Sequence, residues 1–314
     1  MNRLSEAGRG ILAMVAACTI WGLSPIYYKL LAAVPPLEVL SHRTLWSLLF
    51  FGLVIGAQGR AAAVPRLIRQ DLLRVALAAL TISSNWFVFI LSVQIGQAVE
   101  ASLGYYIFPL FAVLIGAFAF QERLAPAQAA AVALAGAAVA LLTWGLGVAP
   151  WIALVLAATF AAYGTLKKRI GAGPVVSVTA EVLILAPLAA LWLAGAHSGW
   201  WSEGGRPGVW FGHDWRTSLL LAFSGVLTGG PLILFSYASR RISLGALGLT
   251  QYLNPTLQFL CAVLVFREPF TPWHMAAFAL IWAAVALYSA ESLRQDRAAR
   301  SRGASAATSG TATT

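Results

Sequence analysis

Ten stretches of this 314-residue chain are each long and apolar enough to cross a bilayer as a helix. They cover roughly residues 10–32, 37–57, 73–93, 99–120, 127–145, 148–166, 174–195, 217–238, 245–266 and 272–290. Crossing ~30 Å of hydrocarbon takes ~20 such residues, and without water in the core the backbone must satisfy its own hydrogen bonds. Composition agrees, with 60% of residues hydrophobic and 10% charged. A soluble domain carries ~25% charged residues, and a surface with so few would aggregate. The cysteines, Cys18 and Cys261, both lie inside apolar runs, which excludes a disulfide framework and a cysteine-rich metal site. The predicted class is an all-α integral membrane protein.

Lys and Arg number 21 against 11 Asp and Glu, a balance that in a soluble protein would suggest nucleic acid. Their distribution gives a different meaning. With the N-terminus inside, 16 of them fall in cytoplasmic segments and 3 outside, while Lys29 and Arg43 lie within spans. Positive residues concentrate on the cytoplasmic side of membrane proteins, so both termini are predicted inside and no nucleic-acid partner is expected. The first run follows Arg3 and Arg9 and mimics a signal peptide, but its apolar stretch continues well past Cys18, as a retained helix would. Residues 1–9 then form a cytoplasmic N-terminus. Residues 291–314, polar and small, are expected to be a disordered cytoplasmic tail.

The chain contains itself twice. At an offset of 146 residues Phe89 meets Phe235, Tyr106 meets Tyr252, Pro109 meets Pro255, Phe120 meets Phe266, Glu122 meets Glu268, and Pro126 meets Pro272. Residues 10–145 and 148–290 are thus predicted to be two repeats of five spans. Five is odd, so the second copy enters the membrane from the opposite side. Inverted repeats of this kind place a binding site near the midplane and give alternating access by rocking of the halves.

Ionisable residues inside spans are costly and point to function. Glu38, His42 and Arg43 open the second span, with Glu38 and His42 one turn apart on one face. Glu181 lies seven residues past Pro174, too deep for its short side chain to reach the interface. Equating Pro36 with Pro174 puts Arg43 opposite Glu181, and the two are expected to face a shared cavity, coupled directly or through a solute. Asn85 with Trp86, Tyr106, and Gln251, Tyr252 and Asn254 place polar groups beside aromatic faces. That arrangement suits an amphiphilic solute, and interhelical hydrogen bonding is the competing reading. Glu100 reads as a helix cap, and Glu122, Glu268, Pro109 and Pro255 as structural elements of the repeat. The spacings Gly52–Gly56 and Gly225–Gly229 permit close helix contact. Trp200, Trp201, Trp210 and Trp215 read as an interfacial belt or a lid. No Walker A, HExxH, CxxC or GxSxG sequence occurs, so ATP hydrolysis, metal catalysis and a bound cofactor are unsupported.

Taken as a set, these motifs resemble the EamA group of the drug/metabolite transporter superfamily, and within it the RarD proteins linked to chloramphenicol sensitivity. The matching residues include Ile20-Trp21-Gly22 with Pro25, Tyr27 and Lys29, then Glu38, His42-Arg43 and Trp46-Ser47. Asn85-Trp86, Glu100 through Tyr105, Pro109-Leu110, Tyr163-Gly164, Lys168, Glu181, Gln251-Tyr252 and Pro255-Thr256 continue it. The resemblance implies ten spans with both ends inside, and export or exchange of a small molecule. The expected function is a secondary transporter in the cytoplasmic membrane, coupled to a proton or a counter-solute. Two other classes stay open: an intramembrane enzyme on lipid head groups, with Glu38, His42 and Glu181 as acid and base, and a channel.

Overall fold

A computed structural model describes residues 5–121, 124–202 and 209–310, with backbone alone at 119–120, 244–245, 292–293 and 296–310. The described residues hold helices and no strand. In chain order the helices are α1 (Glu6–Leu30), α2 (Pro36–Ala57), α3 (Ala63–Gln94), α4 (Ala98–Phe120), α5 (Pro126–Leu146) and α6 (Trp151–Arg169). They continue as α7 (Pro174–His197), α8 (Trp215–Ser239), α9 (Leu244–Gln251), α10 (Leu253–Leu260) and α11 (Pro272–Gly310). Proline occupies the start of α2, α5 and α7, where its fixed φ fits and its missing N–H is not needed. Ser5, Asp214 and Ser243 cap α1, α8 and α9 by accepting from Gly8, Thr217 and Ala246 N–H groups.

Eight of these helices are long and apolar enough to cross a membrane: α1, α2, α3, α4, α5, α7, α8 and the Pro272–Glu291 part of α11. The remaining two predicted spans take other forms. Helix α6 ends in Lys167-Lys168-Arg169, which lowers its apolar content. The stretch predicted as one span over 245–266 is broken into α9, α10 and a π-helical turn over Cys261–Val265. Pro255 supplies no N–H to the carbonyl of Gln251, where α9 ends. Helix α11 runs past residue 290 to Gly310, where a disordered tail is expected; its Ala, Arg and Gln content favours helix. Asp71 departs from helical geometry and divides α3.

Packing repeats when the halves are exchanged, with α1, α2, α3, α4 and α5 matched to α6, α7, α8, α9–α10 and α11. Helix α1 packs on α8 as α6 packs on α3, and α4 packs on α6 as α9 and α10 pack on α1. Helix α2 packs on α8 as α7 does on α3, while α2–α7 and α5–α11 map onto themselves. Gly225 and Gly229 form the close α2–α8 contact, since a Cβ there would overlap the Trp46 backbone and the Phe50 ring. Gly52 and Gly56 have nothing within 4 Å, so their spacing builds no helix contact. Tyr28, Leu31, Ile90, Leu103, Ile107 and Leu156 fill the main core, whereas Leu53, Leu73, Leu188, Leu191 and Leu219 face outward, as lipid-facing residues do.

Candidate functional site

Helix α2 carries three predicted residues on its first two turns, and all are buried. The Glu38 carboxylate accepts hydrogen bonds from the backbone N–H groups of Val209 (2.9 Å) and Trp210 (2.6 Å). It therefore ties the α7–α8 connector down onto α2 and does not pair with His42. The His42 ring instead stacks on Phe211 of the same connector, 4.9 Å between centroids. The tryptophans divide. Trp200 and Trp215 are exposed, Trp201 stacks on Trp192 at 5.5 Å, and Trp210 joins the Glu38 tie.

Deeper on α2, the Arg43 guanidinium lies 4.0 Å from the centre of the Trp86 ring, and its Nη1 donates to the Tyr28 hydroxyl at 2.6 Å. It pairs with no carboxylate among the described residues. Around it the Tyr28, Phe89 and Tyr105 rings meet edge to face. Asn85, fully buried, donates to the Leu156 carbonyl and the Thr159 hydroxyl, both at 2.9 Å, and accepts from Tyr105 at 2.7 Å. The amide thus joins α3, α4 and α6, which is the interhelical reading of this residue.

Glu181 on α7 pairs with Lys167 of α6, Oε1 to Nζ 2.6 Å, and accepts from the Tyr163 hydroxyl at 3.1 Å. Lys167 also donates to the Ser177 hydroxyl. Arg43 and Glu181 therefore do not meet: each takes its partner from the helix before its own, Tyr28 of α1 in one half and Lys167 of α6 in the other. Lys167, Tyr28 and Tyr105 were not among the predicted site residues, and Lys167 counted as a cytoplasmic charge. Antiparallel pairing about residue 172 matches 167 with 177 and 163 with 181, so the short α6–α7 turn carried that signal.

Tyr106 and Tyr252, equivalent in the repeat, stack with centroids 6.4 Å apart, and the Tyr106 and Thr256 hydroxyls bond at 2.7 Å. Asn254 accepts from Gln258 at 3.0 Å, and Gln251 closes α9 half-buried. Glu100 accepts from Ile152 (2.8 Å) and Ala153 (3.4 Å) at the start of α6, so it caps another helix and not its own. Glu268 accepts from Ala98 (2.9 Å) and Val99 (2.8 Å) at the start of α4. Burial pushes its carboxyl above the ordinary range, against the pull of those two N–H groups. Pro109 lies inside an unbroken α4 and Pro255 in α10. Glu122 lies outside the described residues. No group of three or more His, Cys, Asp or Glu suited to a metal occurs among the described residues.

The chain is a multi-pass helical membrane protein whose two halves pack alike and whose buried charges lie between helices. The chain belongs to the EamA-like transporter family, which matches residues 8–144 and again residues 148–290. It is 40% identical over 307 residues to protein RarD of Streptomyces exfoliatus, covering 96% of this chain and 95% of that one. An uncharacterized transporter of Vibrio cholerae is 37% identical over 297 residues, 94% of this chain and 96% of the relative. Protein RarD of Escherichia coli is 35% identical over 294 residues, 93% and 97% of the two chains. A solved crystal structure shares the fold with a TM-score of 0.57 at 21% identity, over 88% of this chain and 96% of that one.

Proposed function

We propose that the chain is a secondary transporter, not an enzyme. It moves a small organic solute across the cytoplasmic membrane by alternating access, in export or exchange, with a proton or a counter-solute as partner. In this reading ten spans form two inverted repeats and both termini are cytoplasmic. The broken α9–α10 stretch and α6 supply the two spans beyond the eight apolar helices. The observation that carries the proposal is the matched placement of two buried charges, Arg43 on α2 and Glu181 on α7, helices that pack on each other across the halves. A helix pair serving packing alone avoids such groups, because each is costly in a membrane.

One tie between the halves supports a rocking mechanism: Glu38 of α2 holds the α7–α8 connector over His42, whereas Lys167–Glu181 stiffens the α6–α7 hairpin within the second half. Releasing the Glu38 tie frees the connector and opens the Arg43 region toward that side. Counterflow in proteoliposomes tests the reading. Uptake of a labelled solute stimulated by the same solute inside, without chemical change, is the expected result. A modified lipid product, or flux that never shows trans-stimulation, contradicts it.

A further inference from the structure

Two buried polar atoms on α2 have no hydrogen-bond partner among the described residues: Nε of Arg43 and Oγ of Ser47. The residues are four apart, so both groups lie on one face of the helix, a turn from each other. Arg43 is 7% exposed and Ser47 is fully buried. The guanidinium has a neutral hydroxyl, Tyr28, as its hydrogen-bond acceptor and the Trp86 ring against it, but no carboxylate among the described residues. The buried Glu38, Glu181 and Glu268 and the half-buried Glu100 are engaged elsewhere: Glu38 and Glu268 by backbone N–H groups, Glu100 by the start of α6, Glu181 by Lys167. The described residues thus supply a buried positive charge, an unpartnered guanidinium Nε and an unpartnered hydroxyl, and no anion against them.

What completes this set is fixed by its chemistry. Arg43 Nε–H donates only, and the Ser47 hydroxyl can donate beside it, so the missing partner is an acceptor with negative charge. A planar carboxylate fits the Nε edge of a guanidinium with two parallel bonds. The walls around it, Trp86, Tyr28 and Tyr105, are aromatic, which suits a flat apolar body attached to that carboxylate. We propose that the Arg43–Ser47 face of α2 is the subsite for the carboxylate of a small aromatic organic acid. The inference rests on the transporter reading for what the bound acid does, and names its substrate class.

Binding to the purified full-length protein in detergent tests this separately from transport. The probes are benzoate, phenylacetate and indole-3-acetate, each with its uncharged amide, read by tryptophan fluorescence and by thermal shift. At least one acid should bind about tenfold or more tightly than its amide, as expected for a charge-assisted bond. Arg43→Met should abolish that preference, and Arg43→Lys should retain it at reduced affinity. Ser47→Ala should weaken the acid roughly three- to tenfold with the unliganded melting temperature unchanged, because it removes no bond within the protein. That variant decides the matter should Arg43→Met fail to fold. Acids and amides binding alike, acid binding indifferent to both positions, or no acid binding at all would each overturn the subsite. Counterflow of a neutral or cationic solute with no acid binding leaves the transporter standing without this subsite. Acid binding with no counterflow of any solute leaves the subsite and removes the transporter.

Discussion

Tyr106 of α4 and Tyr252 at the α9–α10 junction lie with their rings within 15° of parallel, 6.4 Å between centroids. They are also the same residue of the repeat, 146 positions apart. If the halves are inverted repeats, as proposed, a residue can touch its own counterpart only near the axis that exchanges them, and this pair would mark that axis. Phe278 and Trp282 of α11 pack edge-on against Tyr106 and enclose it. A double-mutant cycle of Tyr106→Ala and Tyr252→Ala should give a coupling of ~0.5–1.5 kcal/mol, the range for aromatic pairs. Additive losses in thermal stability would separate the two rings.

The Lys167–Glu181 pair is expected to be needed for transport and to be partly compensable for folding. Glu181→Gln keeps an acceptor for Tyr163 but leaves the ammonium of Lys167 without its counter-charge. A fully buried pair broken in this way costs ~3–5 kcal/mol. The Lys167 side chain is 21% exposed, so solvent reduces the loss here. Lys167→Met combined with Glu181→Gln should recover thermal stability relative to Glu181→Gln while transport stays lost. Full counterflow in the double variant would make the pair structural.

Glu38 should control access from the connector side. In Glu38→Gln one of the two backbone N–H groups faces an amide that cannot accept from it. Losing a charge-assisted bond of ~1.5–3 kcal/mol raises the released population about tenfold or more. Cys18 and Cys261 are both buried, so a thiol introduced as His42→Cys, beneath Phe211, reports on the connector alone. Its reaction with an impermeant maleimide should accelerate when Glu38→Gln is added. An unchanged rate would mean that the Glu38 bonds do not hold the connector.

The glycine spacings separate by sign. Gly225→Ala pushes a methyl into the Trp46 backbone and should destabilise by ~1–3 kcal/mol. Gly52→Ala meets open space and should be neutral or stabilise by up to ~1 kcal/mol through helix propensity. Thermal unfolding in detergent distinguishes them, and equal effects would place both glycines in the same environment.

Apolar runs and short polar turns make the helices legible because a membrane leaves few alternatives. Pro36, Pro126 and Pro174 locate the starts of α2, α5 and α7 to within a residue, while α3 begins ten residues before its predicted span and α11 ends twenty after. The break in 245–266 was not, since Pro109 at the matching position leaves α4 whole and Pro255 alone therefore predicts nothing. The buried carboxylates could be picked out as unusual, but not their partners. Glu38 reaches Val209, Glu100 reaches Ile152 and Glu268 reaches Ala98 across long loops or whole helices, and no period in the sequence encodes such contacts. Matching Pro36 to Pro174 sets Arg43 opposite Glu181, yet the α6–α7 hairpin turns Glu181 toward Lys167. Local geometry chose the partner that symmetry alone suggested otherwise.

Alternating access by rocking, as proposed, depends on the two halves crossing the membrane in opposite senses. Reporters of membrane sidedness fused after Arg69, after Lys168 and near Gly204 test it most directly. Opposite senses give a cytoplasmic signal at the first two positions and an external signal at the third. A cytoplasmic signal near Gly204 would contradict it, because the second half would then share the orientation of the first.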